Sequence, residues 1–386
     1  MFKKRYILLS LLLLGAIAML TIPKCRLVSR MVWYNFADVG DYQIFNAREL
    51  KAAATPFHFA QSKRNYTPLL DSLHKGDFSK ADLPKGDFAK FLAENSTLAF
   101  IIIKNDSIIY EKYLNDYDTT SIVPSFSMAK SYTSTLIGCA IADGYIGSTA
   151  DAVTKYLPEM QANGFDKVTL NHVLQMTSGI DYDESYTNPF ADAAEFYYGE
   201  QLRNSTLTLK LKNKPGTTFE YTSGNTEILG LILERVLAKT QHKTVTNYLQ
   251  TKLWQPLGCE FDASWSIDNT GADGIEKTFC CINARARDYA KMGSLFLHKG
   301  NWHGQQLVPA AWVENVTKID TTAGGDTGYS HQWWIPSHER GDFTARGLLG
   351  QYIYVNPHKN VVIVRLGANK GSVDWLHWLS DFAEKL

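Results

Sequence analysis

The chain has no surplus of charge of either sign. Lys plus Arg number 39 and Asp plus Glu number 39 over 386 residues. Such a balance offers nothing to hold a phosphate backbone, so nucleic acid is not an expected partner. Cysteine is scarce: Cys25, Cys139, Cys259, Cys280 and Cys281 are too few for a disulfide-built scaffold and match no zinc spacing. Cys139 and the adjacent Cys280 and Cys281 read as buried core, with a pairing to Cys259 left open in an oxidising compartment. No His-Glu-x-x-His occurs and the ten histidines do not cluster at ligand spacing, so no metal or other cofactor is expected. Gly-x-Ser-x-Gly is also missing, which removes the strained nucleophile turn of the α/β-hydrolases.

What is present is an ordinary globular composition, 45% hydrophobic and 20% charged, with enough chain for a large core. One long apolar run stands apart. Lys3, Lys4 and Arg5 precede residues 6–22, which carry no charge. A basic start followed by such a run is the layout of an export signal. Its 17 residues lie at the lower limit for spanning a bilayer. Lys24 stands where a lipoprotein signal needs a small residue before Cys25. Residues 1–25 are therefore read as a signal peptide or, by preference, a membrane anchor, with the rest of the chain in the periplasm or cell envelope.

Residues 26–90 form an extension of mixed character, with Pro56, Pro68 and Pro84 and two Lys-Gly-Asp-Phe copies. Residues 91–386 carry the periodic patterns. Residues 98–104 and 107–113 flank Asn105-Asp106 and read as a β-hairpin. Helical periodicity marks residues 170–176, 226–237 and 286–297. Residues 348–355 and 361–366 form a second hairpin, and residues 374–386 a Trp-bearing helix. Strands at both ends with helices between them predict an α+β fold. Its antiparallel sheet is built from both chain ends, flanked by helices, with an inserted, mostly helical region.

The chemistry starts at Ser127-Met-Ala-Lys130. On a helix the two residues lie on one face, one turn apart, which sets an amine beside a hydroxyl. Pro124 bars extension backwards, Ser125 is a candidate N-cap, and an apolar helix runs on to Gly144. The tetrad is short, and a second copy occurs by coincidence at Ser72-Leu-His-Lys75, in a polar stretch with no apolar helix behind it. Further along, Tyr221-Thr-Ser223-Gly-Asn ends a loop before a helix, so the Tyr221 phenol can relay a proton. Arg346-Gly347-Leu348 enters the late strand, where a glycine permits close backbone approach. Asp181, Tyr182 and Asp183 border the same region and read as a solvated acidic turn.

These elements, in this order, resemble the serine β-lactamase and penicillin-binding-protein superfamily, whose tetrad is S-x-x-K. The resemblance is nearest to class C β-lactamases, their esterase relatives and 6-aminohexanoate-oligomer hydrolases. It extends to the Pro-Gly-x-x-Phe-x-Tyr approach at residues 215–221, the run at 229–236, Ala286-Arg-Asp-Tyr-Ala-Lys-Met-Gly293, and Gly304-x-x-Leu-Val-Pro-x-x-Trp312. It implies a β-lactamase-like fold, Ser127 as the acylated nucleophile, Lys130 as its base and Tyr221 as proton shuttle. An oxyanion hole of the Ser127 N–H and one near Leu348 is implied as well. Two departures bear on the substrate: Ser223 stands where class C enzymes carry asparagine, and Arg346-Gly347-Leu348 replaces Lys-Thr-Gly. They favour esters or linear amides over β-lactams, as does the Gly-x-x-Gly-Gln form of residues 347–351. The substrate is expected to be a small molecule or peptide-like. A β-lactamase, a D-Ala-D-Ala carboxypeptidase using Arg346 as carboxylate clamp, and a catalytically silent envelope sensor are the alternatives.

Overall fold

The computed structural model describes residues 15, 23–73 and 87–386. The apolar run at 6–22, apart from Gly15, lies outside the described residues, as do Lys75 and most of the two Lys-Gly-Asp-Phe copies. No described helix is long and apolar enough to cross a membrane.

The centre is an eight-stranded sheet. Its strands are β1 (Ala60–Gln61), β2 (Thr97–Lys104), β3 (Ser107–Tyr113), β4 (Tyr329–Ser330), β5 (Trp333–Trp334), β6 (Phe343–Gly347), β7 (Gln351–Asn356) and β8 (Val361–Gly367). Their spatial order is β4-β5-β6-β7-β8-β2-β3-β1. All pairs are antiparallel except β1 with β3 at one edge. Both ends of the chain thus meet in the middle, where Ile363 faces Ile102 and Val364 faces Ile101. The β2–β3 turn holds Asn105 and Asp106 at φ 48° and 60°. Asn and Asp tolerate the left-handed region that a two-residue hairpin turn requires.

Strand β2 reads Thr-Leu-Ala-Phe-Ile-Ile-Ile-Lys, apolar without alternation, because both sheet faces are covered. Phe100 and Ile102 point into a cluster with α2 (Phe88–Glu94) and the closing helix Trp375–Glu384, through Phe88, Phe91, Trp375 and Trp378. Ile101 and Ile103 point the other way, into the main core. That core also holds α3 (Met128–Ala142), α4 (Asp192–Tyr198), α5 (Ser223–Leu237) and α6 (Ala286–Leu297). Helices α3 and α5 are buried on almost every side, which explains why neither sequence shows a polar face. The extension is stitched into both sheets. Residues Ala47–Leu50 pair with Ala263–Ser266 in a smaller sheet, and β1 joins the large one.

Two boundaries differ from the sequence reading. The late hairpin begins at Gln351, because Leu349 and Gly350 take φ 60° and 86° and turn Leu348–Gly350 into a short 3-10 segment. The last helix starts at Trp375 rather than Asp374, which is its cap residue.

Candidate functional site

The small sheet delivers the start of α3. Val123–Pro124 pairs with Ile282–Ala284, and the Ser125 N–H donates to the Ile282 carbonyl at 2.7 Å. The Ser125 hydroxyl accepts from the Ile282 N–H at 3.0 Å and donates to the Phe126 carbonyl at 3.0 Å. Ser125 is therefore a clamp between sheet and helix and not the N-cap expected of it. Phe126 then takes φ 43°, a left-handed turn that redirects the chain. Ser127 occupies the N-cap position itself, yet its side chain makes no cap hydrogen bond. Its hydroxyl is left for other chemistry.

Lys130 follows one turn later. Its Nζ donates to Ser127 Oγ at 3.1 Å, Ser223 Oγ at 3.2 Å and the Phe279 carbonyl at 2.9 Å. The side chain is 1% exposed. Burial draws its pKa down to about 8, against the opposing pull of the Glu184 and Glu227 carboxylates. An amine so held exists in part as the free base near neutrality and sits within proton-transfer distance of a hydroxyl.

Tyr221 lies over the same ammonium, with Lys130 Nζ 5.2 Å from its ring centre. Its phenol lies close enough to the Ser127 side chain for the two to interact. Tyr329 and Trp334 hold the ring at 5.9 and 5.3 Å between centroids. Burial raises the phenol's pKa, with the Glu184 charge adding to it, so it stays protonated. Ser223, in the first turn of α5, bridges Lys130 to Glu184. The Glu184 carboxylate accepts from the Ser223 N–H at 2.6 Å, from Ser223 Oγ at 2.7 Å and from the Tyr186 hydroxyl at 2.5 Å. Sequence reasoning stopped one residue short of Glu184, at Asp181, Tyr182 and Asp183. Its signal was its place directly after that acidic turn, but a partner 39 residues away has no spacing rule.

The end of β6 closes the site. A Cβ on Gly347 would stand 2.3 Å from the Ser125 carbonyl oxygen and 3.2 Å from the Ser127 nitrogen, so only glycine lets the strand lie against the helix start. The Ser127 N–H has no acceptor among the described residues. Leu348 follows and lines a cavity that also takes in Ser127 and Ser223. The Arg346 guanidinium stacks over Trp334 at 5.0 Å and has no carboxylate partner among the described salt bridges. Gly347→Ala is expected to push the strand away from the Ser127 amide. The accompanying overpacking should cost about 1–3 kcal/mol in urea unfolding.

Cys280 and Cys281 are joined to each other, whereas Cys259 is a buried free thiol. Cys280 and Cys281 are both buried, as the sequence suggested, and the pairing with Cys259 that the sequence left open is not formed. Adjacency made the bond easy to overlook, since it closes no loop of chain. Cys281 takes φ 75°, and the Trp265 indole N–H donates to the Cys280 carbonyl at 2.9 Å. Cys280 and Phe279 thereby form one wall beside Lys130. The coincidental Ser72 donates to the Leu69 carbonyl at 2.6 Å, as an ordinary helix serine. No group of three or more His, Cys, Asp or Glu among the described residues could hold a metal ion.

A sheet made from both chain ends, with a buried helix presenting Ser127 and Lys130 against the end of β6, defines the β-lactamase-like fold. The chain belongs to the Beta-lactamase family, whose profile matches residues 87–374. It is 29% identical over 307 residues to a 6-aminohexanoate-dimer hydrolase of Paenarthrobacter ureafaciens, covering 74% of this chain and 76% of that one. Among solved structures, a Bacillus anthracis protein provisionally named a 6-aminohexanoate-dimer hydrolase superposes with a TM-score of 0.76. The two are 24% identical, and the match covers 90% of this chain and 91% of that one. A penicillin-binding-protein homologue of Caulobacter crescentus gives a TM-score of 0.60 at 14% identity, covering 86% and 100%. The chain is thus a β-lactamase-fold protein of a hydrolase family with amide-hydrolase relatives.

Proposed function

We propose that the protein is a serine hydrolase that cleaves esters or linear amides through an acyl-enzyme. The observation that carries this reading is the 3.1 Å contact between Lys130 Nζ and Ser127 Oγ, made by an amine whose pKa burial draws to about 8. Neutral Lys130 takes the Ser127 proton as Oγ attacks the substrate carbonyl carbon. The Ser127 N–H, with the amide at Leu348, receives the developing oxyanion. Collapse breaks the C–O or C–N bond. The leaving alcohol or amine takes a proton delivered through Tyr221 from the Lys130 ammonium. Water then attacks the acyl-Ser127 ester, giving one proton back by the same route, and releases the acid. Ser223 and Glu184 act as positioning residues, holding the Lys130 amine from the side opposite Ser127.

Esters or linear amides are favoured over β-lactams because Arg346-Gly347-Leu348 offers no Lys-Thr-Gly grip for a ring carboxylate. The named amide activity of the Paenarthrobacter relative agrees with that preference. We also propose export, with residues 6–22 as the anchor; the basic start and the uncharged run support it. A serine-directed fluorophosphonate tests the catalytic reading. Mass spectrometry of the digested protein should find one equivalent of adduct, on the peptide bearing Ser127. An unlabelled Ser127 in folded protein would sink the assignment.

A further inference from the structure

Beside Ser127 lies a cavity of about 410 Å³ whose far wall belongs to neither the S-x-x-K helix nor the sheet. The helix Pro23–Tyr34, here α1, supplies that wall. Val28, Met31 and Val32 stand at positions i, i+3 and i+4, so they share one face, and all three line the cavity. Arg26 and Arg30 are paired with Glu200 instead, and Tyr34 stacks on Tyr198 at 6.5 Å, fixing the helix on α4. Across from it, Phe190 and the ring of Tyr186 complete the lining. Ser127, Ser223, Phe279 and Leu348 form the reactive end.

Two properties define what fits. Among the described residues no Asp, Glu, Lys or Arg lines the cavity, so an ionised acyl group would lose its hydration there with nothing to pair it. At the outer rim, beside the polar Asn35, Thr187 and Asn188, three large apolar side chains stand open to water: Val32, Phe36 and Phe190 are 79%, 60% and 83% exposed. A long alkyl chain would run from Ser127 along the α1 face and cover those apolar side chains.

We propose that the substrate is an amphiphilic ester or amide with a long, uncharged acyl chain, and that this chain occupies the cavity between α1 and the segment 186–194. The inference rests on the serine-hydrolase reading and extends it to a substrate class. The full-length protein is assayed with p-nitrophenyl acetate, butyrate, hexanoate and octanoate, each below its micelle concentration. The expected kcat/KM rises roughly three- to fourfold per methylene, the gain of burying each one. Ala194→Trp, which puts a large ring into the cavity, is expected to lower the octanoate-to-acetate ratio of kcat/KM at least tenfold. Val32→Asp at the exposed rim lowers the same ratio and is available if the tryptophan variant does not fold. A flat or falling series with active Ser127 would overturn the chain-length proposal and leave the hydrolase reading intact. If no ester is turned over, binding decides. Ser127→Ala should bind 11-(dansylamino)undecanoate saturably, with displacement by decanoate and not by acetate, and absence of saturable binding rejects the proposal.

Discussion

Ser127→Ala is expected to lower turnover of a short-chain chromogenic ester by about 10⁴-fold or more, as loss of a nucleophile does elsewhere. The substitution removes one oxygen. The fold has little stake in it, because that oxygen makes no cap hydrogen bond and its neighbours Met128 and Ala129 stay packed in the core. Thermal unfolding should therefore move little, within about 1 kcal/mol of stability. The acyl-enzyme expected in mass spectra of the parent protein during turnover should be missing from the variant. Ser72→Ala supplies the internal comparison. It carries the same tetrad spacing in sequence, but its hydroxyl is satisfied by the Leu69 carbonyl and no part of the cavity touches it. Its rate should equal that of the parent protein. A Ser127→Ala protein retaining more than about a hundredth of the parent rate would mean that another group attacks the substrate.

That comparison also shows where the sequence was legible. Ser127 could be separated from Ser72 without coordinates, since only one tetrad precedes an apolar helix long enough to be buried. The hairpin at Asn105-Asp106 and the helix Ala286–Leu297 were equally readable, because turn chemistry and helical period are local properties. Tyr221 and Ser223 were found by motif, and the structure brings both to the Lys130 amine. What stayed hidden is non-local. Glu184 matters through Ser223, and α1 matters by lying across the chain from residues 186–194. Neither relation leaves a spacing in the sequence. The 3-10 turn at Leu348–Gly350 was hidden for another reason: the run Leu-Leu-Gly-Gln-Tyr-Ile-Tyr-Val is largely apolar, and the turn is pinned by a distant residue, the Arg365 guanidinium donating to the Gly350 carbonyl at 2.6 Å. Arg365 is a residue of β8 whose buried guanidinium lies over the Trp375 ring at 4.0 Å, a contact that no local pattern announces.

Lys130 carries the second large effect, and it differs from the first in having a pH signature. Lys130→Met should lower kcat/KM for esters about 10²–10⁴-fold, the usual worth of a positioned general base. The methionine fits the space of the lysine stem, so folding should persist by circular dichroism. In the parent protein the working form is the free amine, so kcat/KM should rise with pH and reach half its plateau near pH 8, where the Lys130 pKa is drawn. Glu184 modulates that midpoint. Its negative charge favours the ammonium and holds the pKa above where burial alone would put it. Glu184→Gln removes the charge and keeps the shape, so the ascending limb should move to lower pH. The plateau should also fall, as the grip on Ser223 weakens. A merely structural Glu184 would lower the plateau and leave the midpoint where it was. The two roles are therefore separated by the pH axis, and a midpoint unmoved by Glu184→Gln would rule out electrostatic control of Lys130 by this carboxylate.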